Sequence, residues 1–96
     1  MGYATEHITN TLKAVRERKG LSQRELSKKV GVPQSHISKI ESGAIDIRLS
    51  SLVALAHVLD LEPTLVPRKA ASAVKSIIRS SERATVRPAY NLDEDE

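Results

Sequence analysis

The 96-residue chain contains no cysteine, phenylalanine or tryptophan, and only two tyrosines. Without cysteine it has no disulfides and no thiolate metal sites, which suits a reducing cytoplasm. Without Phe or Trp, any core must be aliphatic. The sequence offers Ile8, Leu12, Val15, Leu26, Val30, Ile37, Ile40, Leu52, Leu55 and Leu59 for that core. So small a set suits one modest domain whose stability is partly supplied by dimerisation. No signal peptide and no apolar run of membrane-spanning length is present, so no membrane partner is expected. The three histidines, His7, His36 and His57, are scattered, and no pair of carboxylates shares a face. Neither a metal site nor a nucleophile with its base can be assembled from them. There is also no glycine-rich phosphate loop. The chain is therefore expected to be neither an enzyme nor a cofactor or metal binder. His57 is read as a partly buried polar filler on the fourth helix, with Asp60 three residues on.

What is present is concentrated in Ser22–Gly43, SQRELSKKVGVPQSHISKIESG. Ser22 is a good helix N-cap, and Glu25 three residues later completes a capping box. Leu21 and Leu26 flank the cap at the spacing of a hydrophobic staple. Gly31 suits the left-handed position that ends a helix. Pro33 favours a restart, because its fixed φ fits a first helical turn. Along the second helix of this pair, a rotation of about 100° per residue sets Ile37 and Ile40 inward. Ser35 and Ser42 fall nearly opposite, with Ser38 and Lys39 beside them and Gln34 at the N-terminal flank. Glu41 lies nearer the buried side and reads as structural. Glutamine can pair with adenine, lysine with guanine and serine with either, so this face suits the DNA major groove.

The stretch resembles the lambda-repressor-like (Cro/C1, or XRE) helix-turn-helix family, on LSQRELS and GVPQSHISKIESG, over about residues 8 to 61. Two positions depart from that family's pattern. Ser27 stands where a small alanine is usual, and Pro33 where Ser or Thr usually caps the recognition helix. The resemblance implies that Gln34, Ser35, Ser38 and Lys39 meet base edges or adjoining phosphates. It sets Gln23 against a backbone phosphate at the head of the first motif helix. Arg48, in the following loop, is suited to a phosphate or the minor groove. No contact is assigned to Pro33.

Charge divides along the chain. Residues 1–80 hold 13 Lys/Arg and 7 Asp/Glu, whereas residues 81–96 hold 2 and 5, giving +3 overall. A basic body favours phosphate binding through counterion release. The acidic end, Asp93 to Glu96, would be repelled by DNA.

The expected architecture is all-α: a compact lambda-repressor-like bundle, then a short C-terminal β-strand and an additional helix. Helix 1 is expected over about 5–19, and helix 4 over about 51–59 with Ser50 as its cap. The segment EPTLVPR supplies a strand at Thr64, Leu65 and Val66. A lone strand cannot satisfy its own backbone groups, so the simplest partner is the same strand of a second copy, antiparallel across a two-fold axis. In KAASAVKSIIRS, Ala70, Ala73, Val74, Ile77 and Ile78 form one stripe. That helix fits either its own bundle or the other protomer. The domains are thus 5–61 for DNA binding, 62–80 for dimerisation, and 81–96 as an acidic flexible tail.

LEPTLVPR followed by a helix, together with RPAYNLDEDE at the end, resembles the HipB-type antitoxins. That resemblance implies a homodimeric repressor on an inverted-repeat operator, autoregulating its operon and holding a HipA-type serine/threonine kinase toxin. It implies a cytoplasmic, nucleoid-associated protein. Tyr90 and Leu92 are the apolar anchors of the tail and the candidates for partner binding. A stand-alone XRE-family transcriptional regulator with no toxin partner is the competing expectation.

Overall fold

The computed structural model describes residues 3–86, with side chains for 5–81. Five α-helices occur among the described residues: α1 Tyr3–Arg18, α2 Gln23–Val30, α3 Gln34–Ser42, α4 Leu49–Val58 and α5 Ala71–Val86. The chain divides after Pro63 into two units. The first contains α1 to α4; the second contains α5 and the short 3-10 turn Arg68–Ala70 that leads into it.

The ends of α2 follow from its sequence. The Glu25 backbone N–H donates to Ser22 Oγ at 3.0 Å, and the Ser22 N–H donates to Glu25 Oε1 at 2.8 Å. These hydrogen bonds hold the Glu25 carboxyl below its ordinary range, the one from the Ser22 backbone foremost. At the other end Gly31 takes φ 74°, ψ 23°, and its N–H donates to the Ser27 carbonyl. A side chain there would be strained, which is why glycine ends this helix. Ser27 Oγ then donates to the Val32 carbonyl at 2.6 Å. The serine that replaces the usual alanine thus clips α2 to the turn that follows it. Pro33 occupies the N-cap of α3 instead of its first turn, and no side chain caps that helix.

The first unit's core is aliphatic. Leu12, Val15, Leu26, Ile37, Ile40, Leu55 and Leu59 are buried in one cluster. Leu21, Val30, Val32, Ile45, Ile47, Leu52, Val58 and Leu61 pack against it while partly exposed. Three expectations are corrected. Ile8 is 41% exposed on the first half of α1 and does not join the core. Helix α4 starts at Leu49, so Arg48 and not Ser50 occupies its N-cap, without a side-chain cap bond. His57 is exposed instead of partly buried, and Asp60 lies beyond α4 in a left-handed conformation, φ 60°. The Leu61 N–H returns to the Ala56 carbonyl at 2.7 Å, closing the helix end around Asp60. Lys19 Nζ meets Asp60 Oδ2 at 2.6 Å, joining the ends of α1 and α4 and holding the Asp60 carboxyl below its usual range.

Two charges lie inside this apolar cluster. Arg16 and Glu41 are 7% and 8% exposed. Arg16 Nε donates to Glu41 Oε2 at 2.7 Å and Nη2 to Oε1 at 3.0 Å, a two-point pairing of α1 with α3. Arg16 Nη1 also donates to the Leu21 carbonyl at 2.7 Å, while the Leu21 N–H donates to the Arg16 carbonyl at 3.1 Å. Hydrogen bonding and charge attraction from Glu41 raise the guanidinium pKa against the opposing effect of burial.

In the second unit, residues 64–67 carry no regular secondary structure. Leu65 is 99% exposed and Val66 40%. The strand expected at Thr64–Val66 is not formed: among the described residues there is no strand. Helix α5 continues past Ser80 to Val86, so the first residues assigned to the flexible tail are helical. Ile77 and Ile78 on its apolar stripe are 68% and 50% exposed. Tyr90 and Leu92 lie outside the described residues.

Removing one partner of a buried ion pair leaves an uncompensated charge. Arg16→Met is expected to cost about 3–5 kcal/mol, comparable to the whole stability of a domain this small. The double variant Arg16→Met/Glu41→Leu should recover most of that loss, read as the urea midpoint of unfolding.

Candidate nucleic-acid interface

The polar residues of α3 form one outward face. Gln34, Ser35, Ser38 and Lys39 are all exposed, while Ile37, Ile40 and Glu41 are buried beneath them. The division follows from the helical repeat: once Ile37 and Ile40 enter the core, the short polar residues must turn to solvent. Ser42 is also exposed, but its hydroxyl donates back to the Lys39 carbonyl at 3.1 Å. That bond occupies its proton, so Ser42 adds little to the donor face. Gly43 ends α3 in the left-handed conformation, φ 79°. His36 is half-buried at the flank of the same face.

The four residues present complementary chemistry at one surface. An amide can donate and accept in one plane, as adenine N6 and N7 require. Two hydroxyls accept or donate as needed, and a lysine supplies the charge suited to guanine or phosphate. With α2 beside it, α3 has the proportions of a helix that enters the major groove while its predecessor crosses the backbone.

Gln23 and Arg48 are placed differently. Gln23 is half-buried at the first position of α2, and its Nε2 donates to Glu41 Oε1 at 3.0 Å. The candidate phosphate-binding residue is thus tied directly to the recognition helix. The capping box takes the Glu25 N–H, and the Leu26 N–H goes to the Ser22 carbonyl at 3.0 Å. The Gln23 and Arg24 amides are left as the outward donors at this helix end, where the helix dipole favours an anion. Arg48 is exposed at the N-cap of α4, and among the described residues no hydrogen bond joins it to α3. A shallow, open hollow lined by Lys19, Leu21, Lys29 and Val58 includes none of the candidate DNA residues.

Sequence reasoning missed Arg16. Its position one residue after Val15 places it beside the inward stripe of α1, and Glu41 leans inward on α3. Two opposite charges each displaced toward a core were the available clue.

Comparison with known proteins agrees with this geometry. A helix-turn-helix family model matches residues 12–66. An uncharacterized HTH-type transcriptional regulator, y4dL, of Sinorhizobium fredii (strain NBRC 101917 / NGR234) is 51% identical over 81 residues. That match covers 84% of this chain but 41% of the relative, so the chain spans about two fifths of that protein's length. Antitoxin HipB of Escherichia coli (strain K12) is 34% identical over 70 residues, covering 73% of this chain and 80% of HipB. Among solved structures, a chain described as a HipB–O4 20mer complex superposes with a TM-score of 0.63 at 31% identity. It covers 71% of this chain and 96% of the HipB chain. A HipB variant in an O2 20mer complex gives the same TM-score and identity.

Gln34→Ala and Lys39→Ala are each expected to lose about 1–3 kcal/mol of discrimination between the preferred sequence and unrelated DNA. Gln23→Ala and Arg48→Ala should instead weaken specific and random duplexes alike. The salt dependence of binding should separate these last two. Loss of a cation lowers the log–log slope by about 0.9, whereas loss of a neutral amide leaves it unchanged. Unchanged affinity and sequence preference in both Gln34→Ala and Lys39→Ala would remove α3 from the DNA.

Proposed function

Since the chain belongs to the XRE-type helix-turn-helix family and is HipB-like within it, we propose that it is a sequence-specific DNA-binding repressor that also serves as the antitoxin of a HipA-type kinase module. The observation that carries the DNA half is the exposed α3 face of Gln34, Ser35, Ser38 and Lys39 on a capped helix-turn-helix. Phosphate contacts from Gln23 and Arg48 fix the register on the duplex, and the α3 residues read sequence. The protein acts in the cytoplasm, on the nucleoid, with no catalysis of its own. Its target is the promoter of its own operon.

The functional species is a two-fold dimer. Leu65 and Val66 are exposed in the single chain, as are Ile77 and Ile78 of α5. Pairing Thr64–Val66 with the same segment of a second copy covers this apolar surface. Two recognition helices then meet an inverted repeat whose half-sites are about one helical turn apart, or a multiple of it.

The antitoxin half is supported by similarity to HipB over most of that protein's length. The kinase partner meets the acidic end of the chain, with Tyr90 and Leu92 as apolar anchors ringed by charge. The similarity to y4dL, itself described only as a regulator, favours a second reading: a stand-alone transcriptional regulator with no toxin partner. An affinity pull-down of the full chain from its native host, with the captured protein identified by mass, decides between them. Recovery of a kinase selects the antitoxin; recovery of promoter DNA without a kinase selects the regulator.

Deleting residues 62–96 is expected to leave a monomeric head with much weaker operator affinity, measured by sedimentation and by DNA titration. A truncated head that still sediments as a dimer would exclude strand pairing. Deleting the chain after Ser81 should preserve or slightly strengthen DNA binding, because it removes five negative charges. The same deletion, or Tyr90→Ala with Leu92→Ala, should weaken capture of the kinase. Full neutralisation by the shortened chain would place the kinase contact on the helical body.

A further inference from the structure

Gln23 donates to an unusual acceptor for a residue at a DNA-facing helix end. Glu41 is 8% exposed, and its Oε1 receives both Gln23 Nε2 and Arg16 Nη2, each at 3.0 Å. Its Oε2 receives Arg16 Nε at 2.7 Å. An isolated carboxylate so near a phosphate path would repel DNA. Here the guanidinium neutralises it in a two-point pairing, so the carboxylate acts as a fixed acceptor with little net field. An ionised carboxylate only accepts, which dictates the orientation of the Gln23 amide: its NH2 must turn toward Glu41. One N–H is then used internally, and the other is available at the head of α2, beside the outward amides of Gln23 and Arg24.

We propose that Glu41, charge-neutralised by Arg16, is a positioning residue for DNA binding: it fixes the Gln23 carboxamide so that its second N–H meets a backbone phosphate. The inference rests on the DNA-binding reading above and adds a coupling between the interior and the phosphate contact. A free glutamine would rotate about three torsions and could present its carbonyl to the phosphate as readily as its NH2. Held by Glu41, it loses that freedom on folding and not on binding. The same carboxylate sits on α3, so the phosphate contact of α2 and the base-reading face of α3 are held in one register.

The test is a double-mutant cycle on the full chain, read by titration with a short random-sequence duplex, because a phosphate contact needs no operator. Gln23→Ala removes the contact; Arg16→Met/Glu41→Leu removes the positioning pair without changing net charge. Gln23→Ala should weaken binding about tenfold or more, as expected for a hydrogen bond to a charged group. The pair variant should cause a similar loss while Gln23 is present, and less than twofold further loss in the Gln23→Ala background. The salt slope should stay constant throughout. A pair that acts only on stability would shift the unfolding midpoint, and its DNA losses would multiply with those of Gln23→Ala. That multiplication, or full DNA affinity in the folded pair variant, overturns the proposal. If the pair variant does not fold, Gln23→Asn serves, since an amide one methylene shorter cannot reach both Glu41 and the phosphate. It should bind as weakly as Gln23→Ala, and binding equal to the parent protein overturns the proposal. A parent protein with no affinity for any duplex overturns the DNA-binding reading itself, a result distinct from an uncoupled cycle.

Discussion

The buried pairing of Arg16 with Glu41 sets where α3 lies, and the polar outer face of α3 depends on that position. The pair is not a simple source of stability, because desolvating two charges costs about as much as their attraction returns. Its effect is geometric. Every oxygen of the carboxylate is occupied, from α1 through Arg16 and from α2 through Gln23. Arg16 additionally grips Leu21 at the turn between those helices. An aliphatic core of Leu, Ile and Val tolerates small rotations of a helix, since one branched side chain fills space much as another does. A carboxylate with three directional bonds does not. Turning α3 by one residue would move Glu41 about 100° from its partners and leave two unpaired charges in the interior. Gln34, Ser35, Ser38 and Lys39 therefore face outward for an electrostatic reason as well as a hydrophobic one.

The turn between α2 and α3 is fixed by a different device. Pro33 gives up the side-chain cap that serine or threonine would supply, a contribution of about 1 kcal/mol. Its preset φ of −56° lowers the entropy lost on ordering the turn. Ser27 adds a hydrogen bond to the Val32 carbonyl, one residue before that proline. The two departures from the family pattern thus fall on the two sides of the same turn. They replace a cap on α3 with a clip from α2. The angle between the motif helices, which decides whether α3 can enter a groove while α2 spans the backbone, is held by glycine, serine and proline together.

Much of this was legible in the sequence because it is local. The capping box at Ser22 and Glu25, the left-handed Gly31 and the inward Ile37 and Ile40 depend on neighbours within a few residues. Glu41 could be assigned an inward role from helical rotation. Its partner is not fixed by local pattern: Arg16 leans toward the inward stripe of α1, but it stands 25 residues earlier, and only the packing of α1 against α3 brings the two together. Ile8 fits the stripe of α1 by spacing, yet it lies a full turn before Leu12, where the bundle no longer covers the helix. Ser50 is a better cap than Arg48 by propensity, but α4 begins earlier, where the Arg48 carbonyl accepts the Leu52 N–H. Helix α5 extends past Ser80 because the change of charge there does not change helix propensity. No proline or glycine interrupts Ala71–Val86, so nothing local stops the helix at Ser80.

The second unit shows what a single chain leaves unfinished. A 16-residue helix is marginal in water by itself, and most helices owe their stability to burying one face. In α5 the face that should be buried carries Ile77 and Ile78, both largely exposed, and the segment before it presents Leu65 almost wholly to solvent. The first unit shows no such deficit in its central cluster, where Leu26, Ile37, Ile40 and Leu59 are each 1% exposed. The two parts therefore stand in different relations to their surroundings. The helix-turn-helix is complete as a folded object but small as a reader of sequence, since one α3 spans only a few base pairs. The C-terminal unit is incomplete as a folded object, and the proposed dimer completes it. A two-fold axis there would double the number of bases read and order the apolar surface in the same step. Folding of the C-terminal segment and operator recognition would then draw on one association free energy.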